Sequence, residues 1–366
     1  MERLKRIGEL LYIVLYSILG ERSSSSITRK WRGGRLKHII NLGEILIDVI
    51  PTTQVRLGEA CYTPYPGGAI ANVAVAIARL GGLARFIGGV AEDEFGQLLV
   101  QVLVDNHVDT RYVRVIKEAP TAIALVTLYA GGQRHFTFFR QGTADTQLQA
   151  EYLNWGAWHD AAVCHVGGVL LSTEPARSAT LAAMDHTRQV GSIVSFDVNI
   201  RPTLWTSPAT IHETIASAVE RTDVLKISAE EAEYTGVRGY SSSEPLERSK
   251  LNALGEALLE RGPRLVIITL GANGALLMTA KHRVEVPSLP VRPVDTTGAG
   301  DAFMGAVLYQ LVQQGCQTPS DLLALSEHHL HNLGSFANNV AGLSTTRYGG
   351  ISSFPFMHEI SGFSAP

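Results

Sequence analysis

The amino-acid sequence predicts an α/β fold with a mostly parallel central sheet and a second, smaller sheet. The main observation is a regular alternation of strand-like and helix-like segments after residue 160. Strands that are separated by helices favour parallel pairing with right-handed crossovers. The candidate strands of this half are Ala162–Val166, Ser192–Asp197, Val224–Ile227 and Leu265–Thr269.

A run of strand-like segments between residues 109 and 140 indicates the smaller sheet. Gly131 and Gly132 predict a hairpin between the last two of these strands. Residues 50–66 are also strand-like, so the small sheet is expected to come from about residues 50–66 and 109–141. The candidate strands of the run are Tyr112–Ile116, Ala122–Tyr129 and Arg134–Phe139.

The beginning of the folded region is predicted to be strand, helix, strand and helix. The apolar segment His38–Asp48 predicts one buried strand, with Asp48 at its carboxyl end. Gly67–Gly82 predicts a helix between glycines, whose small and branched apolar residues suit packing on a sheet. Ala84–Val90 predicts the second strand, and Phe95–His107 the second helix.

Composition and charge indicate a globular protein without a nucleic-acid or membrane partner. Hydrophobic residues make up 45% of the 366 residues and charged residues 18%, which excludes a disordered chain. The net charge of -3 creates no general field for nucleic acid or an anionic membrane.

The cysteines are three in number and form no CxxC pattern, so we expect no zinc site. We expect the protein to be located in the reducing cytoplasm. The cysteines are Cys61, Cys164 and Cys316.

Residues 1–35 are predicted to be a poorly ordered leader and linker, followed by one folded domain at residues 36–360. The apolar stretch Leu10–Leu19 is too short to span a bilayer. It resembles the core of a signal peptide, but no small-x-small cleavage site follows it. A leader joined by a Ser- and Gly-rich linker is therefore the interpretation that we favour.

The strongest functional signal is the segment Asp295–Gly305, with the sequence DTTGAGDAFMG. Gly298 and Gly300 allow a helix to begin with unobstructed N–H groups, which together with the helix dipole bind anions. Asp301 lies in the first turn, where it can accept a proton from a sugar hydroxyl that attacks a γ-phosphate. Taken alone, the segment also fits a helix start whose glycines serve packing.

Two common nucleotide-binding motifs are absent from the sequence. No Gly-Lys dipeptide occurs, so the chain has no Walker A loop. The next glycine after Gly300 is Gly305, which is not the spacing of a dinucleotide-binding turn. The sequence therefore lacks the defining residues of a P-loop enzyme or a dehydrogenase.

Three motifs together resemble the ribokinase (PfkB) family of carbohydrate kinases. Asp295–Ala306 is similar to the family's C-terminal signature and Gly67–Asn72 to its N-terminal signature. Between them, Ile268–Ala275 resembles the nucleotide-binding strand and turn, and the similarity spans about residues 36–355. The resemblance implies a ribokinase-like three-layer α/β/α sandwich with a β-sheet lid, and a homodimer through that lid.

The resemblance also implies an ATP-dependent sugar kinase, whose partners are a small sugar and ATP. Asp301 matches the general base, and the backbone of Gly298, Ala299 and Gly300 matches the anion hole. The carboxylate of Asp48 suits vicinal sugar hydroxyls, which donate hydrogen bonds to it. The residues expected to bind the sugar are Asp48, Gly68, Asn72, Arg140 and Arg201.

Nucleotide and cation sites are likewise implied by position in the family's motifs. Mg²⁺ is expected to arrive with ATP, mostly through phosphates and water. The residues expected to bind the nucleotide are Ser228, Glu231, Thr269, Gly271, Gly274 and Asn338. The residues expected to hold K⁺ or another monovalent cation, several through backbone carbonyls, are Asp295, Thr297, Ser344, Arg347, Gly349 and Ser353.

Two segments bear on the choice of sugar. Phe196–Trp205 resembles a stretch shared by fructokinases and 2-keto-3-deoxygluconate kinases, whereas Thr143-Ala144-Asp145 resembles fructokinases. Arg140 and Arg201 could instead bind the carboxylate of the keto-deoxy acid. We expect fructose to be phosphorylated on a hydroxymethyl group, with 2-keto-3-deoxygluconate as the alternative.

Two departures from the family pattern argue against ribokinase itself. Ser228 stands where the family's Asn-x-x-Glu motif has asparagine, and no glutamate follows Cys164–Gly168. A catalytically retired, sugar-sensing member of the family is the remaining alternative. Such a protein would be expected to have lost the Gly-Ala-Gly-Asp motif, which is intact here.

Overall fold

The computed structural model describes residues 30–31, 34–35, 37–51, 61–128, 134–240 and 247–361. The chain divides into two compact units, residues 1–36 and residues 37–366. In the first unit, strand β1 (Lys30–Trp31) pairs antiparallel with β2 (Gly34–Arg35). The predicted leader, apart from these strands, lies outside the described residues.

The second unit alternates strands and helices along most of its length. Its strands are β3 His38–Leu42, β4 Leu46–Pro51, β5 Tyr62–Gly67, β6 Ala84–Ile87, β7 Gly89–Ala91, β8 Arg114–Ile116, β9 Ile123–Leu128, β10 Arg134–Phe139, β11 Ala161–Gly167, β12 Ile193–Asp197, β13 Val224–Ser228, β14 Leu265–Thr269, β15 Ala275–Met278 and β16 Arg283–Val286. Its α-helices are α1 Ala69–Arg79, α2 Glu94–Asp105, α3 Ala176–Gln189, α4 Pro208–Val219, α5 Arg248–Leu259, α6 Ala299–Gln313, α7 Pro319–Leu322, α8 Glu327–Ser344 and α9 Met357–Ser361. Short 3₁₀ turns are Ala144–Gln147, Ala150–Tyr152, Trp155–Trp158, Leu170–Ser172, Pro202–Leu204, Ala229–Thr235, Gly271–Asn273 and Ile351–Ser353.

The large sheet has eight strands in the order β16-β15-β14-β13-β12-β11-β3-β6. The six strands from β14 to β6 are parallel, and β15 and β16 add an antiparallel edge. The parallel strands are buried almost throughout, as expected for a sheet covered by helices on both faces. The prediction of a mostly parallel central sheet is therefore confirmed.

Helices cover both faces of this sheet. On one face a continuous hydrophobic cluster joins strand residues such as Cys164 and Phe196 to helix residues such as Ala183, Ile215 and Leu254. On the other face α6 contacts both α1 and α8, α1 contacts β3, β6 and β11, and α8 contacts β15 and β16. The arrangement has three layers, in agreement with the predicted α/β/α sandwich.

A second, four-stranded sheet has the order β10-β9-β4-β5 and is called the small sheet below. Its β4 pairs antiparallel with β5 and parallel with β9, and β9 pairs antiparallel with β10. Leu46, Ala122 and Ala124 form its core, against which Phe136 and Phe138 pack. The predicted separate sheet is present, although the predicted hairpin turn at residues 131 and 132 lies outside the described residues.

The prediction of a single strand from His38 to Asp48 is wrong. The strand ends at Leu42, and Asp48 lies inside β4 of the small sheet. Gly43 lies against α1, where an added Cβ would stand 2.2 Å from Cγ1 of Ile70. The chain leaves the large sheet at this close approach, because only a glycine lets the backbone pass so near the helix.

Two further strand predictions need correction. The predicted strand Ala84–Val90 is divided at Gly88, where a Cβ would stand 2.5 Å from the carbonyl oxygen of Gly43. The predicted strand Tyr112–Ile116 begins at Arg114 and pairs with β7, not with the small sheet. In both cases the tertiary contact partner, which the local pattern does not contain, sets the boundary.

Within the part of the chain that the structure describes, no helix is both long enough and apolar enough to cross a membrane.

Candidate active site

A cavity of about 310 Å³ opens beside the N-terminus of α6. Strands β4 and β10 of the small sheet line it through Asp48, Phe136 and Phe138, and α6 lines it from the opposite side. The predicted site residues that the cavity brings together are Asp48, Gly68, Asn72, Arg201, Thr297, Gly298, Ala299, Gly300 and Asp301.

The beginning of α6 presents open backbone to the cavity. Gly298 is the N-cap of α6 with φ 74°, a left-handed conformation that favours glycine. No side chain forms a capping hydrogen bond at this helix start. A Cβ at this position would stand 3.0 Å from the ring of Phe354. The first N–H groups of a helix have no intrahelical partner, so this turn can bind an anion.

Asp301 lies in the first turn of α6 and is held by a neighbour from α1. Its Oδ2 accepts a hydrogen bond of 2.7 Å from Nδ2 of Asn72. Burial raises the pKa of Asp301 above its usual value, while Asn72, Lys226 and Arg201 act in the opposite direction. A carboxylate with a raised pKa is a better proton acceptor than an exposed one.

The wall opposite α6 depends on glycines that leave room for its polar groups. Gly67 pairs with Leu46 across β4 and β5, and a Cβ there would stand 2.1 Å from Oδ2 of Asp48. Gly68, with φ 103°, lies against the backbone of Glu44, where a Cβ would stand 2.6 Å from the carbonyl oxygen. The carboxylate of Asp48 can therefore face the cavity beside the start of α1.

The two predicted arginines have different environments. Arg201 lines the cavity and donates from Nη1 to the carbonyl oxygen of Ile200 at 2.9 Å. Arg140 does not line it, because its Nε pairs with Asp145 at 2.5 Å and its Nη1 donates to Ser172 at 3.0 Å. Nη2 of Arg140 is buried without a hydrogen-bond partner among the described residues.

The predicted nucleotide residues after β14 lie outside the cavity lining. Thr269 donates to the carbonyl oxygen of Ile227 at 3.3 Å, while Gly271 and Gly274 have positive φ values of 56° and 94°. Nδ2 of Asn338 donates to the carbonyl oxygens of residues 286 and 287, at 3.1 and 2.9 Å. The Thr269 side chain therefore bonds to the neighbouring strand β13, and the Asn338 side chain holds the backbone at the end of β16.

Glu231 and Ser228 also lie outside the cavity lining. The two carboxylate oxygens of Glu231 accept hydrogen bonds from the N–H groups of Ile200 and Ser228, each at 2.8 Å. The carboxylate thus ties the end of β13 to the loop after β12. This loop carries Arg201, so Glu231 positions a cavity residue in the structure.

The predicted cation residues form one connected group of loops. Asp295 accepts hydrogen bonds from the N–H groups of Thr297 at 2.8 Å and Gly349 at 2.9 Å. Arg347 N donates to the carbonyl oxygen of Ser344, and Ser353 N to that of residue 350. The described residues contain no group of three or more His, Cys, Asp or Glu that could hold a metal. Oxygen ligands from carbonyls, which suit a hard cation, are the donor type that these loops offer.

Four polar cavity residues are not among the predicted site residues, namely Glu44, Asn199, Lys226 and Thr296. Glu44 is buried, its Oε1 accepts a hydrogen bond of 2.8 Å from Ala69 N, and burial raises its pKa to about 7. Asn199 has φ 33°, and strained backbone of this kind clusters at functional sites. Glu44 and Lys226 could have been found from the sequence, because each is a charged residue within an otherwise apolar, strand-like segment.

Comparison with known proteins identifies the class of enzyme. Residues 36–357 match the pfkB family carbohydrate kinases. Fructokinase-1 of Oryza sativa subsp. japonica is 39% identical over 330 residues, which cover 89% of this chain and 97% of the relative. The chain therefore belongs to the pfkB family and is a carbohydrate kinase, as its motifs predicted.

Two solved structures share the fold. Fructokinase with bound ATP from Xylella fastidiosa has a TM-score of 0.80 and 30% identity, covering 89% of this chain and 97% of that one. A fructokinase double mutant from Vibrio cholerae O395, with fructose, ADP and a potassium ion bound, has a TM-score of 0.77 and 33% identity, covering 91% and 99%. The predicted ribokinase-like fold is thereby confirmed.

Proposed function

We propose that this protein transfers the γ-phosphoryl group of ATP to a hydroxymethyl group of fructose. The observation that carries the proposal is the placement of Asp301. Its side chain is half-buried at the cavity and bonded to Asn72, and it lies in the first turn of a helix whose start is open for an anion. A base and an anion site within one helical turn are the two parts that phosphoryl transfer to an alcohol requires.

In the proposed reaction the sugar hydroxyl gives its proton to Asp301 while its oxygen attacks the γ-phosphorus. The new sugar O–P bond forms as the bond from the γ-phosphorus to ADP breaks. The N–H groups of Gly298, Ala299 and Gly300 stabilise the negative charge on the transferred group. Mg²⁺ bound with ATP would supply further charge neutralisation on the phosphates.

The charge arrangement favours a neutral sugar over the keto-deoxy acid. The keto-deoxy acid was expected to use both arginines for its carboxylate. Only Arg201 lines the cavity, because Arg140 is paired with Asp145 inside the protein. The resemblance to fructokinases of other organisms points to the same substrate, fructose. Asp48, Gly68, Asn72 and Arg201 are proposed to surround the sugar, with Arg140 behind them.

The nucleotide is proposed to lie along the loops that end β13 and β14. The proposed residues act through shape and backbone, since Asn338 and Glu231 already bond to main-chain groups. The potassium ion of the Vibrio cholerae structure supports a monovalent cation in the loops around Asp295 and Gly349. There it would hold the start of α6 in place.

Two coarser proposals concern assembly and location. The small sheet ends in the edge strand β5, whose Tyr62 and Tyr65 are exposed, and we propose that a second copy covers this edge to form a homodimer. Light scattering at two protein concentrations tests the dimer, and a monomer at both would contradict it.

Because the reaction consumes ATP, we place the enzyme in the cytoplasm.

The decisive experiment measures ADP release with fructose, 2-keto-3-deoxygluconate, ribose, tagatose and nucleosides, with and without K⁺. We expect fructose to give the largest kcat/KM and K⁺ to raise it. A clear preference for the keto-deoxy acid would reassign Arg140 and Arg201 to its carboxylate. Absence of turnover with every sugar would favour the retired, sugar-sensing alternative.

A further inference from the structure

Lys226 is a buried lysine beside the proposed anion site, and the reaction as described above does not use it. It lies on β13, only 6% exposed, and lines the cavity together with Gly300 and Asp301. A Cβ built on Gly300 would stand 3.3 Å from its Nζ. The ammonium therefore lies at the first turn of α6, where the anion is proposed to bind.

Asp197 fixes the direction of this ammonium. Nζ of Lys226 donates to both carboxylate oxygens of Asp197, each at 2.9 Å. The two residues lie opposite each other on the parallel strands β12 and β13. An ammonium carries three protons, so one remains for a ligand on the cavity side.

The surroundings keep Lys226 charged. Burial disfavours the charge, but the carboxylates of Asp197, Glu231 and Asp301 outweigh it and raise the pKa of Lys226. Glu231 is already bonded to two backbone N–H groups and Asp301 to Asn72. The charge is therefore fixed and oriented before any ligand binds, which is the condition for effective electrostatic stabilisation.

A purely structural role would require Lys226 only to neutralise the buried Asp197. A cation that neutralises a buried carboxylate can itself be fully enclosed, and it need not line a substrate cavity. Lys226 instead lies at the cavity surface, in contact range of the helix start. This position is the observation that favours a role toward the ligand.

We propose that Lys226 is a further catalytic residue, whose ammonium donates a hydrogen bond to the γ-phosphoryl group, and that Asp197 is its positioning residue. The proposal deepens the proposed function and rests on it. Lys226 keeps its proton throughout, because the proton of the sugar hydroxyl goes to Asp301. Its contribution is charge stabilisation on the oxygens of the group in transfer.

The central test compares Lys226→Met with the double variant Asp197→Asn/Lys226→Met in the full chain. Removing one preorganised donor is expected to lower kcat by about 100- to 1,000-fold, with the KM for the sugar within about threefold of wild type. The single variant leaves Asp197 buried and unpaired, so it can lose stability. The double variant has no unpaired charge and keeps the test valid if the single variant fails to fold.

The double variant also separates the two roles of Lys226. If the lysine only neutralises Asp197, removing both charges restores wild-type turnover. If the lysine binds the phosphoryl group, the double variant keeps a kcat about 100- to 1,000-fold below that of wild type. Turnover of the folded double variant within about threefold of wild type would overturn the proposal. The matched control is Lys281→Met, an exposed lysine in the turn between β15 and β16, which should leave kcat unchanged.

A binding measurement makes the test independent of the sugar. Calorimetric titration with Mg-ATP and Mg-ADP should show the double variant losing about tenfold in ATP affinity, with ADP affinity within about twofold, because the lost contact is to the γ-phosphoryl group. Equal losses for both nucleotides, or no loss, would contradict the proposal. If the proposed function fails, the wild-type protein turns over no sugar. The comparison of the ATP loss with the ADP loss still decides the role of Lys226 in that case.

Discussion

The two sides of the cavity are built in different ways. One side is a single continuous segment, Thr296–Asp301, where the helix start and the proposed base follow one another. The other side is assembled from separate segments that carry Glu44, Asp48, Asn72 and Phe136. The continuous side can keep its geometry through local backbone conformation, whereas the assembled side depends on long-range packing. We therefore expect substitutions on the first side to alter catalysis, and those on the second to alter stability and substrate fit.

The largest effect is expected from Asp301→Asn on the continuous side. Removal of a general base should lower kcat by about 100- to 10,000-fold, because the amide cannot accept the proton. The KM for fructose should stay near wild type, and ADP release measures both. Asp105→Asn, at the exposed end of α2, is the control and should keep full turnover. Near-full turnover of a folded Asp301→Asn would show that another group is the base.

Arg140→Ala tests the packing of the assembled side. The substitution leaves Asp145 buried without its ion-pair partner, which should lower the free energy of unfolding by about 3–5 kcal/mol. Urea unfolding provides the measurement. Arg111→Ala is the matched control, since Arg111 pairs with Asp109 at the surface and should cost less than about 1 kcal/mol. Equal losses in the two variants would contradict the assignment.

Glu44→Gln tests the buried carboxyl of the same side through pH. Burial raises the pKa of Glu44 from 4.5 to about 7, so the folded protein keeps this proton at pH values where the unfolded chain has lost it. Its contribution to stability is therefore lost as the pH rises from about 4.5 to above 7, by about 3 kcal/mol at most.

Glutamine carries no titrating proton, and its side-chain oxygen can still accept the hydrogen bond from Ala69. Between pH 4 and pH 8 the unfolding free energy of wild type should fall further than that of Glu44→Gln, measured by urea unfolding. All other titrating groups, including the nearby Arg140 and Asp145, are common to both proteins. Parallel pH curves would show that Glu44 ionises normally in the folded state.

The smallest stability effect is expected from Gly298→Ala, paired with Gly315→Ala at the opposite end of α6. Both glycines have positive φ, and each substitution should cost about 1 kcal/mol from backbone strain alone. A Cβ at Gly315 meets open space, whereas one at Gly298 meets Phe354 and Gly350. Only Gly298→Ala should therefore lower kcat as well. Loss of turnover in Gly315→Ala to the same degree would indicate a general effect of helix stability.

The difference between the two sides also explains what could be predicted. The segment from Asp295 to Asp301 was predicted as an anion site, and the structure places its last six residues at the cavity. Asp48 was predicted to be a site residue and lies there, but on a strand of the small sheet instead of the large one. Its location depended on the contact between Gly43 and Ile70, two residues far apart in sequence.

The charged pairs around the cavity illustrate the same limit. Lys226 and Asp197 meet because β12 and β13 are parallel neighbours in a particular register. A register is a property of strand pairing, so neither residue's own surroundings in the sequence reveal its partner. Asn338 was predicted from its position on a late helix, and only the structure showed that its amide donates to two main-chain carbonyls.

The sequence by itself determined the fold class, the family and the start of α6. Each of these depends on local patterns, namely alternation of strands and helices, and glycines beside an aspartate at a helix start. The tertiary structure alone decided which way Arg140 turns, where Asp48 lies, and that Asn72 holds Asp301. The physical reason is that these side-chain positions depend on burial and on hydrogen bonds between segments that are distant in sequence. Such segments come into contact only when the chain folds.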